Sequence, residues 1–355
     1  MIKESIQKLV ERKNLTLEES QETMKEVMSG EATPAQIASF LTALRMKGET
    51  VKEITALAEV MRNFCLQIHP KVGGRMVDTC GTGGDKIKTF NVSTAAAFVV
   101  AGTGIPVAKH GNRSVTSKSG SADVLEKLGY NLNAEPRDIE RAIEQVGVGF
   151  MFAPIHHLAM KYAVGPRKEI GIRTVFNVLG PLTNPANAKA QLLGVYDDCF
   201  VEPLALVLRN LGCEEAMVVH GLDGLDEIST IGKTAIAHLK QGKVMLMEVD
   251  PEDFGIKRAE PDEVSGSTPE ESAETTFRIL QGSSDDVPKT DMVLVNAAAG
   301  IVIGGKAEDF SHGMELARES IDSGSAYQKL RAMIKASNGN LSKIEELEAK
   351  HGRLP

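Results

Sequence analysis

Polar and apolar residues alternate with a helical period through roughly the first 65 positions. Thr16 and Glu19 form a capping-box pattern ahead of Leu17–Met28, and Gly30 supplies a stop. Thr33, Pro34 and Gln36 repeat that logic, with proline at the first helical position. Thr50 and Glu53 open a further helix that carries Ile54, Leu57, Ala58 and Met61 at helical spacing. Short connections between these segments predict a small all-helical domain over residues 1–70.

The pattern changes at Val72-Gly73-Gly74. Met76-Val77-Asp78 reads as a buried strand that ends in a glycine-rich turn, and strand-like runs then alternate with helical ones. The strands expected are Ile105–Lys109, Gly149–Phe152, Gln191–Val195, Ala216–His220, Ala235–Leu239 and Val244–Val249. The helices expected include Ala122–Leu128, Arg137–Val146, Val201–Leu211 and Pro269–Leu280, the last behind a capping box of Thr268 and Glu271. Such alternation predicts an α/β domain over residues 71–355, with a central, mostly parallel sheet and helices on both faces. Residues 164–185 fit it poorly. Their Gly and Pro content reads as a crossing segment, not an element, that returns to the helical domain and lines the cleft. The tail from Ser337 reads as a surface helix or a frayed end.

Composition narrows the picture only a little. The 355 residues are 42 % hydrophobic and 25 % charged, as in soluble globular proteins. Aromatics are 4 % and tryptophan is absent, so the core is aliphatic and methionine-rich. A net charge of −8 argues against nucleic acid or an acidic membrane as partner, but leaves room for a local basic pocket. The four cysteines are scattered with no C-x-x-C pair, which suggests reduced thiols in a cytoplasmic protein. The N-terminal residues lack the apolar core of a signal peptide.

Three blocks carry candidate chemistry. The first is Asp78-Thr79-Cys80-Gly81-Thr82-Gly83-Gly84-Asp85. Three glycines after a strand let the backbone approach a ligand and turn N–H groups toward an anion. No Gly-Lys-Ser/Thr follows, and the spacing is not that of the dinucleotide fingerprint. A tight strand-to-helix turn explains the same residues equally well. The second block, Asn91-Val92-Ser93-Thr94, precedes an apolar helix whose first turn offers N–H groups and the positive end of the dipole. Phosphate binds at such an end. Alone, Ser93 or Thr94 is an ordinary N-cap, but beside a glycine loop a phosphate site is the better account. The third block runs from Lys109 to Ser121 and gathers two lysines, an arginine, a histidine and several hydroxyls. In a chain of net negative charge this suits a pyrophosphate, with a solvated basic loop as the alternative. Ser121 would then cap Ala122–Leu128.

These blocks resemble the anthranilate phosphoribosyltransferases, glycosyltransferases of tryptophan biosynthesis. So do Phe150-Met151-Phe152-Ala153-Pro154, Gly165-Pro166-Arg167, Asn177-Val178-Leu179-Gly180-Pro181-Leu182-Thr183-Asn184-Pro185, and His220-Gly221 followed by Leu225-Asp226-Glu227. The match runs in order to about residue 335. Thr116 stands where the family often has serine, which keeps the hydroxyl.

The resemblance implies an active site at the hinge between two domains and a homodimer through the helical one. It implies that the donor, 5-phosphoribosyl 1-pyrophosphate, lies on Gly81, Gly83, Gly84, Asp85 and Thr89, and on Asn91, Val92, Ser93 and Thr94 at the helix start. Lys109, His110, Gly111, Asn112, Arg113, Ser117 and Ser121 would close over the pyrophosphate, with Asn112 and Arg167 meeting anthranilate. Ser93, Asp226 and Glu227 would hold magnesium (Mg2+). Lys109 and Arg167 are the residues expected to act in catalysis.

Taken by themselves, these residues fit such roles but do not compel them. A guanidinium pairs both oxygens of a carboxylate, which suits an acidic acceptor, although an arginine after Gly-Pro is often merely on the surface. Asp226-Glu227 supplies adjacent hard oxygen ligands, or is a solvated acidic loop with Asp223 nearby. The neighbours His156 and His157 point apart on a helix, and either shape the acceptor channel or pack. No Ser-His-Asp or Cys-His arrangement is apparent, so no nucleophile is nominated. A pyrimidine nucleoside phosphorylase and a non-enzymatic nucleic-acid binder are the competing readings.

Overall fold

The computed structural model describes residues 1–114, 119–266 and 268–352. The first four helices are α1 (Ile2–Val10), α2 (Leu17–Ser29), α3 (Pro34–Lys47) and α4 (Val51–Phe64). All three capping boxes read from sequence are made: Thr16 with Glu19, Thr33 with Gln36 and Thr50 with Glu53. Gly30 closes α2 in the left-handed conformation. Helix α1 lacks a side-chain cap and is held instead by burying Ile2, Ser5 and Leu9.

The sheet contains β1 (Val77–Gly81), β2 (Val107–Gly111), β3 (Val148–Phe152), β4 (Ala190–Gly194), β5 (Glu215–Gly221), β6 (Thr234–Lys240) and β7 (Lys243–Val249), in the order β3-β2-β1-β4-β5-β6-β7. The first five are parallel, and β6 and β7 are antiparallel. From β1 the chain winds outward to β2 and β3, then returns to β4 on the other side of β1. Strand order therefore reverses between β1 and β4, where the loops at the strand ends diverge and leave a crevice.

Successive strand residues point to opposite faces, and the two larger of three apolar clusters lie on either side of the sheet. On one face Leu192 and Val219 join α5 (Val92–Gly102) and the later helices. On the other, Leu193 and Val218 join α1–α4 in one continuous apolar cluster. The intervening helices are α6 (Ser121–Lys127), α7 (Pro136–Val146), α8 (Ala153–His156), α9 (Lys161–Ile170), α10 (Phe176–Leu179) and α11 (Val201–Asn210). The chain ends with α12 (Pro269–Leu280), α13 (Val287–Ile303), α14 (Phe310–Asp322), α15 (Ser325–Ala336) and α16 (Ser342–His351).

Two local expectations change, and of the two readings of the tail the helix is the one formed. Helix α9 runs through Gly165 and Pro166, so much of the crossing segment is helical. Proline removes one hydrogen bond there, but Ala163 and Pro166 are buried and the helix packs against α2 and α3. Ser121 does not cap α6: Gly120 is the N-cap and Asp123 accepts its N–H. The tail is a docked helix, α16, with Ile344 and Glu348 buried.

Candidate active site

The glycine loop leaves β1 at the strand-order reversal and is shaped largely by protein neighbours. A Cβ on Gly81 would lie 2.5 Å from Asp226 Oδ2, and one on Gly84 would lie 2.7 Å from Arg173 Nη2. Gly83 faces open space but has φ +65°, and Gly84 has φ +84°, both in the left-handed region. The Gly83 N–H donates to Asp226 Oδ2 at 2.7 Å. Asp85 Oδ2 accepts the Thr89 N–H at 3.4 Å, and Thr89 bridges to Ser265.

Helix α5 starts at Val92 with Asn91 as N-cap and no side-chain cap bond, so Ser93 and Thr94 are inside the first turn and do not cap it. The Ser93 N–H favours the charged form of Glu227, whose carboxylate faces the start of the helix from β5's side of the crevice. Val92 is buried and its N–H is taken by Phe90 O at 2.7 Å. Asn91 Oδ1 and Thr94 Oγ1 are buried without partners, polar atoms that a bound ligand would satisfy. Asn91 Nδ2 donates to Ser119 O at 3.2 Å, which ties the helix start to the basic loop.

Lys109 lies behind this turn. Its Nζ donates to Thr79 O at 2.5 Å and to Ser93 Oγ at 3.2 Å, and its side chain is buried. Burial holds its pKa below the usual lysine value, while buried Asp78 pulls it back up. Asp78 Oδ1 accepts the His110 N–H at 3.2 Å. Lys109 thus supplies a buried positive charge beneath Ser93.

The base of the basic loop is pinned by Asp123 Oδ2, which accepts from Ser114 N at 3.0 Å and from Gly120 N at 2.9 Å. Arg113 is exposed, pairs with Asp123 and Glu126, and lies 5.8 Å from the Phe152 ring centre. Asn112 is exposed, and its Oδ1 accepts the Arg113 N–H at 2.7 Å. Gly111 ends β2 against Phe150, 2.8 Å from where its Cβ would be. Ser121 opens α6 beside it. Ser117, with Thr116 and Lys118, lies outside the described residues.

Arg167 sits on α9 with its guanidinium 5.0 Å from the Phe176 ring centre. Burial lowers its pKa, although a guanidinium stays charged. His110, His156 and His157 are buried, and the rings of His110 and His157 lie 5.0 Å apart. His156 Nδ1 meets Leu66 O at 2.7 Å, and the backbone at Gly180 and at Thr183 favours the charged forms of His110 and His157. The Nε2 atoms of all three are buried without partners. A ring nitrogen bonded to a carbonyl carries the proton, which makes the free Nε2 an acceptor. Burial pushes His157 down to about 4 and His110 well below the usual value, so both are neutral at pH 7.

Asp85, Asp226 and Glu227 crowd the crevice mouth. Burial, then the Asp226 charge, pushes Asp85 up to about 7; burial also raises Asp226, and burial with Asp226 raises Glu227 well above the usual range. Mutually repelling carboxylates of this kind are relieved by a divalent cation. Among the described residues no three His, Cys, Asp or Glu side chains form a complete cage. The adjacent carboxylates of Asp226 and Glu227 suit magnesium, which keeps waters and takes substrate phosphates as ligands alongside one or two carboxylates. The residues present therefore fit the ion.

Sequence reasoning missed several residues that build this site. Arg173 donates Nη2 to Gly84 O at 2.7 Å and stacks 4.1 Å from the Tyr196 ring centre. Asp223, already noted beside the acidic pair in the sequence, takes a structural part: it accepts the Leu225 N–H at 3.1 Å and a bond from Ser229 Oγ, fixing the turn that presents Asp226 and Glu227. Gln191 and Asn184 brace Asp78. Arg173, Gln191 and Asn184 are remote in sequence from the groups they hold, and no local spacing announces them.

Comparison with known proteins agrees with this geometry. Residues 3–65 match the glycosyl transferase family helical bundle domain, and residues 73–327 match the glycosyl transferase family a/b domain. Anthranilate phosphoribosyltransferase of Acetivibrio thermocellus is 52 % identical over 342 residues, 96 % of this chain and 98 % of that one. That of Geotalea uraniireducens is 51 % identical over 353 residues, 95 % of this chain and 100 % of that one. The crystal structure of the Thermus thermophilus enzyme superposes with a TM-score of 0.89 at 40 % identity, covering 94 % of this chain and 99 % of that one. The Saccharomyces cerevisiae enzyme in complex with PRPP and Mg superposes with a TM-score of 0.88 at 29 % identity, covering 95 % of this chain and 98 % of that one. With the fold, the crevice and these relatives in agreement over nearly its whole length, the chain belongs to the anthranilate phosphoribosyltransferase family.

Proposed function

We propose that the protein transfers the 5-phosphoribosyl group of 5-phosphoribosyl 1-pyrophosphate to the amine of anthranilate and releases pyrophosphate, a step of tryptophan biosynthesis. The observation that carries this reading is the convergence, at one sheet crevice, of the glycine loop, the α5 start and the Asp226–Glu227 carboxylates, joined by the Gly83–Asp226 bond at 2.7 Å. Membership of the family, and the relative solved with PRPP and Mg, support it.

In the proposed reaction the C1–oxygen bond to pyrophosphate breaks and its electron pair leaves with the pyrophosphate. The amine lone pair forms the new C1–N bond, and the nitrogen then passes its proton to the released pyrophosphate or to solvent water. An aromatic amine is neutral at pH 7 and needs placement more than a strong base. Gly81, Gly83, Gly84, Asp85 and Thr89 would lie along the donor, with Asn91, Ser93 and Thr94 at the helix start. Ser93, Asp226 and Glu227 would hold magnesium, which when bound neutralises charge on the leaving pyrophosphate. Lys109 adds a fixed positive charge behind Ser93. Arg167, with Asn112, would pair the anthranilate carboxylate, and the acceptor Nε2 atoms of His110 and His157 would face the amine side. Fixing two reactants in this way is worth roughly 7–11 kcal/mol of barrier.

The same reading extends to the assembly. Residues 1–70 and 71–355 are proposed as two domains closing on the substrates, and the chain as a cytoplasmic homodimer through the helical domain. Val10, Met46, Tyr162 and Val164, apolar and exposed on α1, α3 and α9, support that interface. Among the described residues no helix is long and apolar enough to cross a membrane. Incubating purified protein with donor, magnesium and anthranilate should extinguish anthranilate fluorescence and release pyrophosphate. Phosphate-dependent loss of uridine or thymidine, with anthranilate untouched, would replace this reading with the phosphorylase.

A further inference from the structure

Arg173 is exposed, three residues beyond the end of α9, yet it makes two specific contacts with the donor loop and its flank. Nη2 donates to Gly84 O at 2.7 Å, and the guanidinium plane lies 4.1 Å from the Tyr196 ring centre. Tyr196 is itself tied to the loop, since its N–H donates to Thr82 Oγ1 at 3.1 Å, and Thr82 N donates to Gly194 O at 2.9 Å. Arg173 is therefore stacked on one anchor of the loop while it holds another.

The approach requires the glycine. A Cβ at position 84 would lie 2.7 Å from Arg173 Nη2 and 3.1 Å from Cζ. The third glycine of the motif thus makes room for a protein side chain from the crossing segment, whatever it also does for a ligand. The peptide between Gly84 and Asp85 is a rigid trans plane, so its C=O and N–H point in opposite directions. Holding the Gly84 carbonyl on Arg173 turns the Asp85 N–H to the other side, where it meets the Asp85 carboxylate at the crevice mouth. With Gly83 and Gly84 both left-handed, this contact fixes the course of the loop that carries Asp85 into the crevice.

We propose that Arg173 is a positioning residue for the phosphoribosyl donor: by holding the Gly84 carbonyl it fixes the conformation of the glycine loop, and it links that loop to the segment that carries Arg167. The proposal rests on the transferase reading and deepens it. Arg173 acts through the loop backbone, so its loss shows in the donor and not in the acceptor.

The test is steady-state kinetics of the full-length protein with each substrate varied at saturating magnesium and co-substrate. An exposed charge-assisted bond of this type predicts that Arg173→Ala raises the donor KM about three- to tenfold, with the anthranilate KM within about twofold of wild type. Arg173→Lys recovers only part of the loss, because an ammonium has no plane to stack on Tyr196. Tyr196→Phe keeps the wild-type donor KM, whereas Tyr196→Leu raises it. Should Arg173→Ala lose its fold, as read by its unliganded melting temperature, Arg173→Lys and Tyr196→Leu carry the same test. An unchanged donor KM in Arg173→Ala, or equal rises in both KM values, overturns the assignment. Wild-type protein that fails to turn over donor and anthranilate rejects the transferase reading itself, a result separate from an active wild type with an indifferent Arg173.

Discussion

Asp226 Oδ2 accepts the Gly83 N–H at 2.7 Å, so a carboxylate proposed to hold metal also fastens the donor loop. Its backbone is equally constrained: a Cβ on Gly194, at the end of β4, would lie 1.5 Å from Asp226 O. The turn after β5 is pressed onto the end of β4, and the strand-order reversal is where the two loops are sewn together.

Asp226→Asn keeps the shape and removes the charge. The carboxamide should still meet Gly83 through its oxygen, so the melting temperature should change little. Magnesium half-saturation should rise at least about tenfold with a parallel fall in turnover. Glu227→Gln should behave alike, because both lose an oxygen anion from the crowded mouth. An unchanged magnesium titration in both variants would remove these residues from the metal site.

Gly194→Ala should be far more damaging than its size suggests. The methyl meets backbone, not a movable side chain, so β4 or the Asp226 turn must shift. A loss of at least about 3 kcal/mol is expected, measured by urea unfolding. A variant as stable as wild type would show that the turn does not sit on β4 in solution.

Arg167→Ala should raise the anthranilate KM with little change in donor KM. Losing a charge-assisted pair of hydrogen bonds costs about 1.5–3 kcal/mol, or roughly 10- to 150-fold in affinity. Arg167→Lys should fall between, since it keeps the charge but not the fork. Equal effects on both substrates would move Arg167 away from the acceptor.

His157 gives the chain an acid sensitivity. Burial lowers its folded pKa to about 4, against about 6.5 when unfolded. Between those values the unfolded chain binds a proton that the folded one refuses, so this contribution to stability is complete above pH 6.5 and is lost as pH falls toward 4. It amounts to on the order of 3 kcal/mol. Asp85, raised to about 7, works in the opposite sense over the same range, so the comparison must be with His157→Gln, which cancels it. The stability difference between wild type and His157→Gln should shift in favour of the variant as pH drops from 7 to 4. Parallel curves would mean that the imidazole titrates normally.

What the amino-acid order decided by itself is whatever is encoded within a few residues. Thr16, Thr33, Thr50 and Thr268 each sit three positions before a Glu or Gln, and all four capping boxes form, because both partners lie within one helical turn. The strands were readable from short apolar runs, and the donor blocks from glycines and cations that are contiguous in the chain. Helix α13 was not singled out: apolar on every side and buried through its second half, it has no polar face to give a period. Nor was the helical course of residues 161–170, where local proline is outweighed by packing on α2 and α3.

The site's finer construction belongs to the tertiary structure alone. Glu227 faces the start of α5 across 134 residues of chain, while Ser93 and Thr94, which local reading made candidate caps, lie inside its first turn. Arg173 explains Gly84 from 89 residues away. Lys109, which the sequence presents as one donor of an exposed basic loop, is buried beneath Ser93 because β2 lies beside β1. A residue's neighbours along the chain fix its conformation, but only the sheet order, which places the ends of β1, β4 and β5 side by side, fixes which charges meet.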